Sequence, residues 1–248
     1  MCWSGEASLA LASLGFAGTA WAAYKKESPM LWVTLAYFSS MELLQAFTYT
    51  VINQCSSPAN QIATLLGYLH IAFQPFFINM ISMYFIPEAV RDKIKIPVFT
   101  CCFIASIVLI IQLYPFDWAG VCHIGRPLCA RQLCSVSGNW HIAWDVPTNG
   151  LGNYFFDNQI YGLRAGFIAY TLAGFLLPIL YGSWRFTMYH LIMGPSFAAM
   201  TTSNVNEWPA VWCLLSIAFL LIVVKTPIRK ILHVRSWVFW PKRFRIRQ

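Results

Sequence analysis

Long apolar stretches that carry almost no charged residues are the feature that most constrains this chain. The stretches 62–86 and 96–114 contain no Asp, Glu, Lys or Arg. A membrane-spanning helix needs about 20 mainly apolar residues. Charged residues make up 10% of the chain, whereas soluble domains carry about 25%. This composition suits lipid as the solvent and disfavours a soluble enzyme or a disordered chain.

The pattern predicts an all-α fold, a polytopic membrane bundle of seven transmembrane helices. The first apolar stretch lacks the basic region that begins a signal peptide, so it is interpreted as a retained span. The sixth span is short and contains Gly194-Pro195, which leaves open a six-span alternative in which this segment is re-entrant. The predicted spans are 7–24, 30–52, 62–86, 96–114, 163–181, 186–201 and 209–224.

The distribution of Lys and Arg predicts the orientation. In the seven-span arrangement 14 of the 17 basic residues fall on one side, eight of them between Lys225 and Arg247. The positive-inside rule then places the N-terminus outside and the C-terminus inside. We therefore predict an integral protein of a cell or inner membrane, with a transmembrane domain at 1–225 and a basic, aromatic cytoplasmic tail at 226–248. The net charge is +8, and the basic residues flank apolar stretches. We therefore expect membrane lipids rather than nucleic acid as partners.

One long polar connection, residues 115–161, separates the predicted fourth and fifth helices on the outer side. Loops of this length are uncommon and are often functional. Its aromatic residues indicate that it folds back over the bundle, and we call it the cap.

The eight cysteines divide by side. Three lie within apolar spans and are interpreted as small hydrophobic residues: Cys101, Cys102 and Cys213. The other five lie outside, where oxidising conditions favour disulfides. Cys2 is expected to remain unpaired, and at least one disulfide is predicted among four candidates. A zinc site that includes His123 is an alternative, although the cysteine spacing does not match a common ligand pattern. The disulfide candidates are Cys55, Cys122, Cys129 and Cys134.

Polar residues cluster on one face of the second predicted span. Glu42 lies near its middle, Gln45 follows three residues later and Tyr49 four beyond that, and such spacings share a helical face. A lone carboxylate at this depth needs a cation, a proton or a hydrogen-bond donor. A protonated Glu42 that only clamps two helices is the structural alternative.

The third predicted span carries His70 and Gln74 one turn apart, followed by Pro75, which is expected to free a backbone carbonyl and kink the helix. His70 and Glu42 lie at similar depth on spans joined by a short loop, so we predict that they meet. In the cap, His141 and Asp145 would share a face if their segment were helical, and Asp145 would then orient the imidazole. His190, near the inner end of the sixth span, is interpreted as a separate structural or gating residue.

Several short motifs resemble an uncharacterised group of polytopic membrane proteins that begin Met-Cys-Trp-Ser or Met-Cys-Phe-Ser. To our knowledge the group has no assigned activity, so the resemblance implies only an emphasis on Cys2, Glu42, His70 and His141. After removal of the initiator Met, Cys2 would offer a thiolate and an α-amine. The matching residues are Met1-Cys2-Trp3-Ser4, Ala7-Ser8, Glu42, Gln45, His70, Pro75, His141-Ile142-Ala143, Gly194-Pro195 and Trp212-Cys213.

Three functions remain open from the sequence. The first is a metal-dependent intramembrane enzyme acting on a lipid or small apolar substrate, with zinc, iron or copper held by Glu42, His70, His141 and Cys2. The second is a transporter, channel or proton-coupled carrier. In it, Glu42, Gln45, His70, Gln74 and Asn79 would line a polar path, and Pro75, Pro178 and Pro195 would supply helix breaks. Tyr49 and Asp145 would extend this path or support the ligands of a metal site. The third is a seven-helix sensor or a subunit of a membrane complex.

Overall fold

The computed structural model describes residues 3–151, 168–213, 218–220, 222 and 226–241, and this part of the chain is mostly helical. The helices are α1 (Gly5–Tyr24), α2 (Pro29–Thr50), α3 (Pro58–Tyr84), α4 (Glu88–Ile110), α5 (Ile168–Leu180), α6 (184–201), α7 (Trp208–Trp212) and α8 (Pro227–Leu232). The strands are β1 (Cys134–Ser137) and β2 (Ile142–Asp145).

The helices begin where the local sequence favours a helix start. The Ser4 hydroxyl accepts a hydrogen bond from the Ala7 N–H (3.3 Å) at the start of α1, and the Ser28 hydroxyl accepts one from the Met30 N–H (3.3 Å) at the start of α2. Proline occupies the first turn of α2 and α3, where its missing N–H costs nothing. These starts set the register of the faces that pack.

Helices α1 and α2 form an antiparallel pair whose backbones approach closely. A Cβ added to Gly15 would lie 2.0 Å from Ser39 Oγ, so a larger residue does not fit there. Helix α3 packs beside α2, and Leu35, Phe38 and Ile78 join Phe186 and Phe219 in one buried cluster. This cluster fills the end of the bundle distant from the cap.

The cap covers the other end. Strands β1 and β2 pair antiparallel, with Ser137 opposite Ile142, and the Cys55–Cys134 disulfide ties β1 to the loop between α2 and α3. Asn60 of α3 donates to the Ser135 carbonyl (2.9 Å) and accepts from the Ser135 N–H (2.9 Å). The cap hairpin is therefore anchored to the helices by covalent and backbone contacts.

The structure corrects two parts of the predicted fold class. The cap contains a two-stranded sheet, so the protein is mostly helical rather than all-α. Seven transmembrane helices are not supported: within the described residues, two helices are long and apolar enough to cross a membrane, Pro58–Tyr84 and Glu88–Leu113. One reason is length, because the described helices after the cap are shorter than a membrane span or are interrupted. Residues 163–167 and most of 214–225 lie outside the described part.

Helices α5 and α6 are interrupted by π-helical turns. One π turn spans Leu172–Leu176 in α5 and lies just before the predicted helix break at Pro178. The other spans Ile192–Ser196 in α6 and contains the predicted break at Pro195. Each π turn leaves the regular hydrogen-bond pattern for one turn, and such turns are frequent at functional sites.

The described part of the tail packs against the bundle at the end distant from the cap. The Trp240 indole donates to the Tyr181 carbonyl (2.9 Å), and the Val234 N–H donates to the Phe85 carbonyl (2.8 Å). Gly182, with φ +102°, permits this approach, because a Cβ there would lie 2.6 Å from the Trp240 ring. The last basic residues, 242–248, lie outside the described part of the chain.

Candidate polar site on helix α2 beneath the cap

Glu42 and Gln45 lie one turn apart on α2, and both side chains are fully buried. Neither Glu42 oxygen makes a hydrogen bond of ordinary geometry with a described group, and neither does Gln45 Oε1 or Nε2. The hydroxyl of Ser8 on α1 faces the Glu42 carboxyl as a longer, weaker donor, and Tyr49 and Cys213 are close enough to interact with the carboxyl electrostatically. Buried polar groups are almost always hydrogen-bonded in folded proteins, so four unpartnered atoms on one turn mark this as the candidate site.

His141 of the cap lies over the end of α2. Its Nδ1 accepts from the Ile142 N–H (2.8 Å) and lies 3.1 Å from the Tyr49 hydroxyl. A backbone N–H can only donate, so Nδ1 is unprotonated and the proton of the neutral ring is on Nε2. Burial lowers the pKa of His141 to about 3, which keeps the ring neutral. Its Nε2–H has no partner among the described residues.

The N-terminal segment closes over the same histidine. Trp3 stacks on the His141 ring (5.5 Å between ring centroids), and its N–H donates to the Trp140 carbonyl (3.1 Å). Its indole also donates to the Ser8 hydroxyl (2.9 Å), beside Glu42. The segment before α1 thus connects the cap to the polar site. Cys2, the predicted fourth ligand, lies outside the described residues.

Glu207, which the sequence analysis missed, holds the cap hairpin in place. Its buried carboxylate accepts from the Trp140 N–H (3.0 Å), the His141 N–H (3.2 Å) and the Asn139 N–H. A Cβ on Gly138 would lie 2.2 Å from the Glu207 carboxylate, so only glycine fits. The Gly138-Asn139 turn was a local signal for the hairpin, but nothing local pointed to a carboxylate 66 residues further along the chain.

His70 does not join Glu42. The His70 Nε2–H donates to the Tyr37 carbonyl (2.9 Å), the Tyr37 hydroxyl donates back to the His70 carbonyl, and the two rings stack at 3.9 Å. Tyr37 is five residues before Glu42, which rotates it by about 140° around α2. His70 therefore lines an apolar groove of about 810 Å³ on another face of the helix, together with Phe73, Phe77 and Phe99.

Asp145 does not orient His141, contrary to prediction. Residues 142–145 form strand β2 rather than a helix, and four residues span about 13 Å along a strand. The Asp145 carboxylate accepts from the Asn206 amide (2.8 Å) instead. Burial raises the pKa of Asp145, and the hydrogen bond from Asn206 opposes that rise.

The polar residues of α3 serve as braces between helices. The side-chain Oε1 of Gln74 accepts a hydrogen bond from the Tyr170 hydroxyl (2.7 Å). The Asn79 amide donates to the carbonyls of Pro75 and Ala173 (both 2.8 Å) and accepts from the Tyr181 hydroxyl (3.0 Å). These side chains are satisfied, and they do not extend a polar path from Glu42.

His190 lies in a separate aromatic environment, as predicted. Its Nε2 accepts from the Trp212 indole (3.1 Å), and Phe175 of the α5 π turn stacks on its ring at 4.5 Å. A Cβ on Gly194 would lie 2.3 Å from the Trp212 indole nitrogen, so glycine lets these elements meet.

The three described residues that were predicted to bind a metal do not converge on one point. Within the described ranges, no three His, Cys, Asp or Glu side chains could hold a metal ion together. His141 presents an N–H rather than a lone pair towards its unpartnered side, and His70 binds Tyr37 on another face of α2. The described residues therefore do not support the predicted zinc, iron or copper site.

The predicted disulfides are confirmed. Cys55 pairs with Cys134, and Cys122 pairs with Cys129 within the cap. The cysteines of the apolar segments, Cys101, Cys102 and Cys213, are free. The covalent links thus stabilise the cap rather than form a zinc site.

Comparison with known families gives one result. A family model described as "Family of unknown function (DUF5765)" matches residues 6–233. The chain belongs to this family. The DUF5765 match covers the α2 site, the cap hairpin and Glu207, and it confirms the expected membership of an uncharacterised family. No curated protein and no solved structure matches the chain.

Proposed function

We propose that this DUF5765 protein is a multi-pass integral membrane protein that acts as a proton-coupled carrier of a small polar solute, with Glu42 as the coupling carboxyl. One observation carries the proposal: Glu42 and Gln45 are buried side by side with four polar atoms that no described group satisfies. An intramembrane carboxyl without a fixed partner binds and releases protons or solute more readily than one that braces two helices.

The exposed surface of the helices supports the membrane part of the proposal. The C-terminal half of α4 exposes several large apolar side chains, and α5 and α6 expose similar side chains. Monomeric soluble proteins rarely expose apolar patches this large. The exposed apolar residues of these helices include Phe103, Ile104, Ile107, Val108, Leu172, Leu176, Leu180, Met188 and Ile192.

The positions of the two termini fit the predicted orientation. Trp3 lies at the cap, whereas the tail contacts the far end of α3 at Phe85. Lys25 and Lys26 follow α1 at this far end, and Arg185 there donates to the Ile231 carbonyl of the tail (2.9 Å). Basic residues concentrated at one end favour that end as the cytoplasmic one.

The π turns of α5 and α6 favour a carrier over a rigid enzyme. Transport sites are often formed beside interrupted helices. Here the interruptions lie in the two helices that follow the cap, and Trp212, which contacts both of them, is adjacent to Cys213 beside Glu42. A change in α5 and α6 would therefore reach the polar site through one residue.

The test is transport by the purified full chain reconstituted in liposomes. Uptake of labelled solute into the liposomes would be recorded with and without an imposed pH gradient, for four classes of solute: an amine, a zwitterion, a sugar and an organic anion. Uptake is the readout because exchange of one proton for one monovalent cation at a single carboxyl moves no net charge. We expect uptake of at least one class to depend on the pH gradient. Glu42→Gln should abolish that uptake, because it removes the titratable group at nearly constant shape.

Glu88→Gln is the matched control, since it makes the same chemical change at a carboxyl that is 77% exposed. It should leave the uptake unchanged. A folded wild-type protein that shows no pH-dependent uptake of any class, or a Glu42→Gln variant that keeps that uptake, would refute the carrier.

A further inference from the structure

The polar site is acceptor-rich at the end distant from the cap. The Glu42 carboxyl provides two unpartnered oxygens and Gln45 provides a third. The ion pairs of the described residues join Arg91 to Glu88 and Asp92, and Arg229 to Glu27. None of these cations compensates Glu42, so a charged occupant of the site has to be positive.

The cap side of the site is donor-rich. The Gln45 Nε2 and the His141 Nε2–H are buried and lack described acceptors. Gln45 lies about 4.5 Å from Glu42 along the axis of α2. A ligand that satisfies both ends therefore carries a positively charged donor group and a hydrogen-bond acceptor within a few covalent bonds of that group.

Resting on the proposed function, we infer that the solute is a small organic ammonium ion with a hydroxyl or carbonyl oxygen on a neighbouring carbon. The ammonium group donates to Glu42 and to the Gln45 Oε1, and the oxygen accepts from the Gln45 Nε2. His141, whose tautomer is fixed by the Ile142 N–H, adds a donor on the cap side.

Other ligand classes fit these atoms less well. Calcium takes six to eight oxygen ligands and magnesium demands an octahedron, whereas Glu42 and Gln45 together offer three oxygens. An anion would be repelled by the carboxylate. A neutral alcohol or sugar would leave the buried carboxylate uncompensated, which costs several kcal/mol.

Equilibrium binding to the purified full chain with intact disulfides tests the inference. The four probes are ethanolamine, propylamine, propanol and glycolate, which are similar in size and differ in charge and in the acceptor. We expect ethanolamine to bind about 10-fold more tightly than propylamine, because one hydrogen bond is lost, and about 100-fold more tightly than propanol, because the charge is lost. Glycolate should not bind.

Two variants assign the preferences to residues. Glu42→Gln should reduce the preference for ethanolamine over propanol to within about threefold, a factor that corresponds to less than 1 kcal/mol. Gln45→Leu should remove the preference for ethanolamine over propylamine while retaining the preference for charge. Glu88→Gln should retain both preferences. Gel-filtration elution and a thermal unfolding transition like those of the wild type show that each variant folds.

The outcomes separate the inference from the carrier. Glycolate or propanol binding as tightly as ethanolamine, or no binding by any probe, overturns the ammonium assignment. Transport of a sugar or an anion that depends on Glu42 would do the same and leave the carrier intact. Absence of pH-dependent uptake with every class of solute refutes the carrier itself.

Discussion

The buried pair Glu42 and Gln45 on α2 and the buried pair Gln74 and Asn79 on α3 have different surroundings. On α3, Gln74 and Asn79 form hydrogen bonds with two tyrosine hydroxyls and with the Ala173 carbonyl of α5. On α2, Glu42 and Gln45 meet no described partner. A satisfied buried amide contributes to stability, whereas an unsatisfied one costs stability. The α3 pair therefore stabilises the bundle, and the α2 pair retains a cost that function would explain.

The cap covers the α2 pair, so loss of its covalent anchor should have the largest effect. The Cys55–Cys134 disulfide closes a loop with a sequence separation of 79, and Cys122–Cys129 one of 7. Chain entropy predicts a loss of about 4 kcal/mol for the first and about 2 kcal/mol for the second. Double Ser variants of each pair, compared by thermal unfolding, check the ratio. An equal loss for both pairs would contradict the assignment of the first as the anchor.

Glu207 should come next, because it satisfies three backbone N–H groups of the cap turn. Glu207→Ala leaves these donors buried and should cost about 3 kcal/mol. The loss should be concentrated in the cap, so amide hydrogen exchange of residues 138–142 should rise while that of α3 stays slow. Uniform exchange throughout the chain would argue that Glu207 stabilises the whole bundle instead.

A pair of matched variants tests the contrast between the two helices directly. Asn79→Leu removes three hydrogen bonds and should lower the free energy of unfolding by about 2 kcal/mol. Gln45→Leu removes none and should be neutral or raise that free energy by up to about 1 kcal/mol. Chemical unfolding in the same detergent gives both values. A loss at Gln45 as large as that at Asn79 would show that Gln45 is a brace.

The smallest effect concerns pH. The pKa of His141 falls from 6.5 to about 3 on folding because the ring is buried. Between these values the unfolded chain binds a proton that the folded chain does not, so stability falls as the pH falls below 6.5. The expected contribution of His141 to the slope is at most about 1.4 kcal/mol per pH unit.

His141→Phe should reduce this slope while it keeps the ring between Trp3 and Tyr49. The same replacement at the exposed cap residue His123 is the control and should retain the slope. Unfolding monitored by tryptophan fluorescence at pH 7 and pH 5 measures both. An unchanged slope in His141→Phe would mean that another group titrates.

Local sequence predicted a good part of this structure. The predicted second span, 30–52, lies close to the observed α2, and the spacing of Glu42 and Gln45 placed them on one buried face. The division of the cysteines predicted disulfides in the outer loops and free thiols in the apolar segments. Each of these inferences depends on residues within a few turns of one another or on solvent polarity.

The errors share a different cause. The depth of His70 matched that of Glu42, yet depth says nothing about the direction in which a side chain points around the helix, and Tyr37 engages His70 on another face. The segment 142–145 was too short for a period to separate helix from strand, and pairing with β1 decided it.

The sequence by itself determined which segments are apolar, where helices begin and which side chains share a face, because those properties follow from spacing along one element. Only the tertiary structure decided which faces meet. The Glu207 carboxylate reaches the cap turn, His70 turns to Tyr37, and Glu42 and Gln45 stay unpartnered among the described residues. These outcomes depend on packing between distant segments, and the free energy of such contacts is not encoded in any single stretch of the chain.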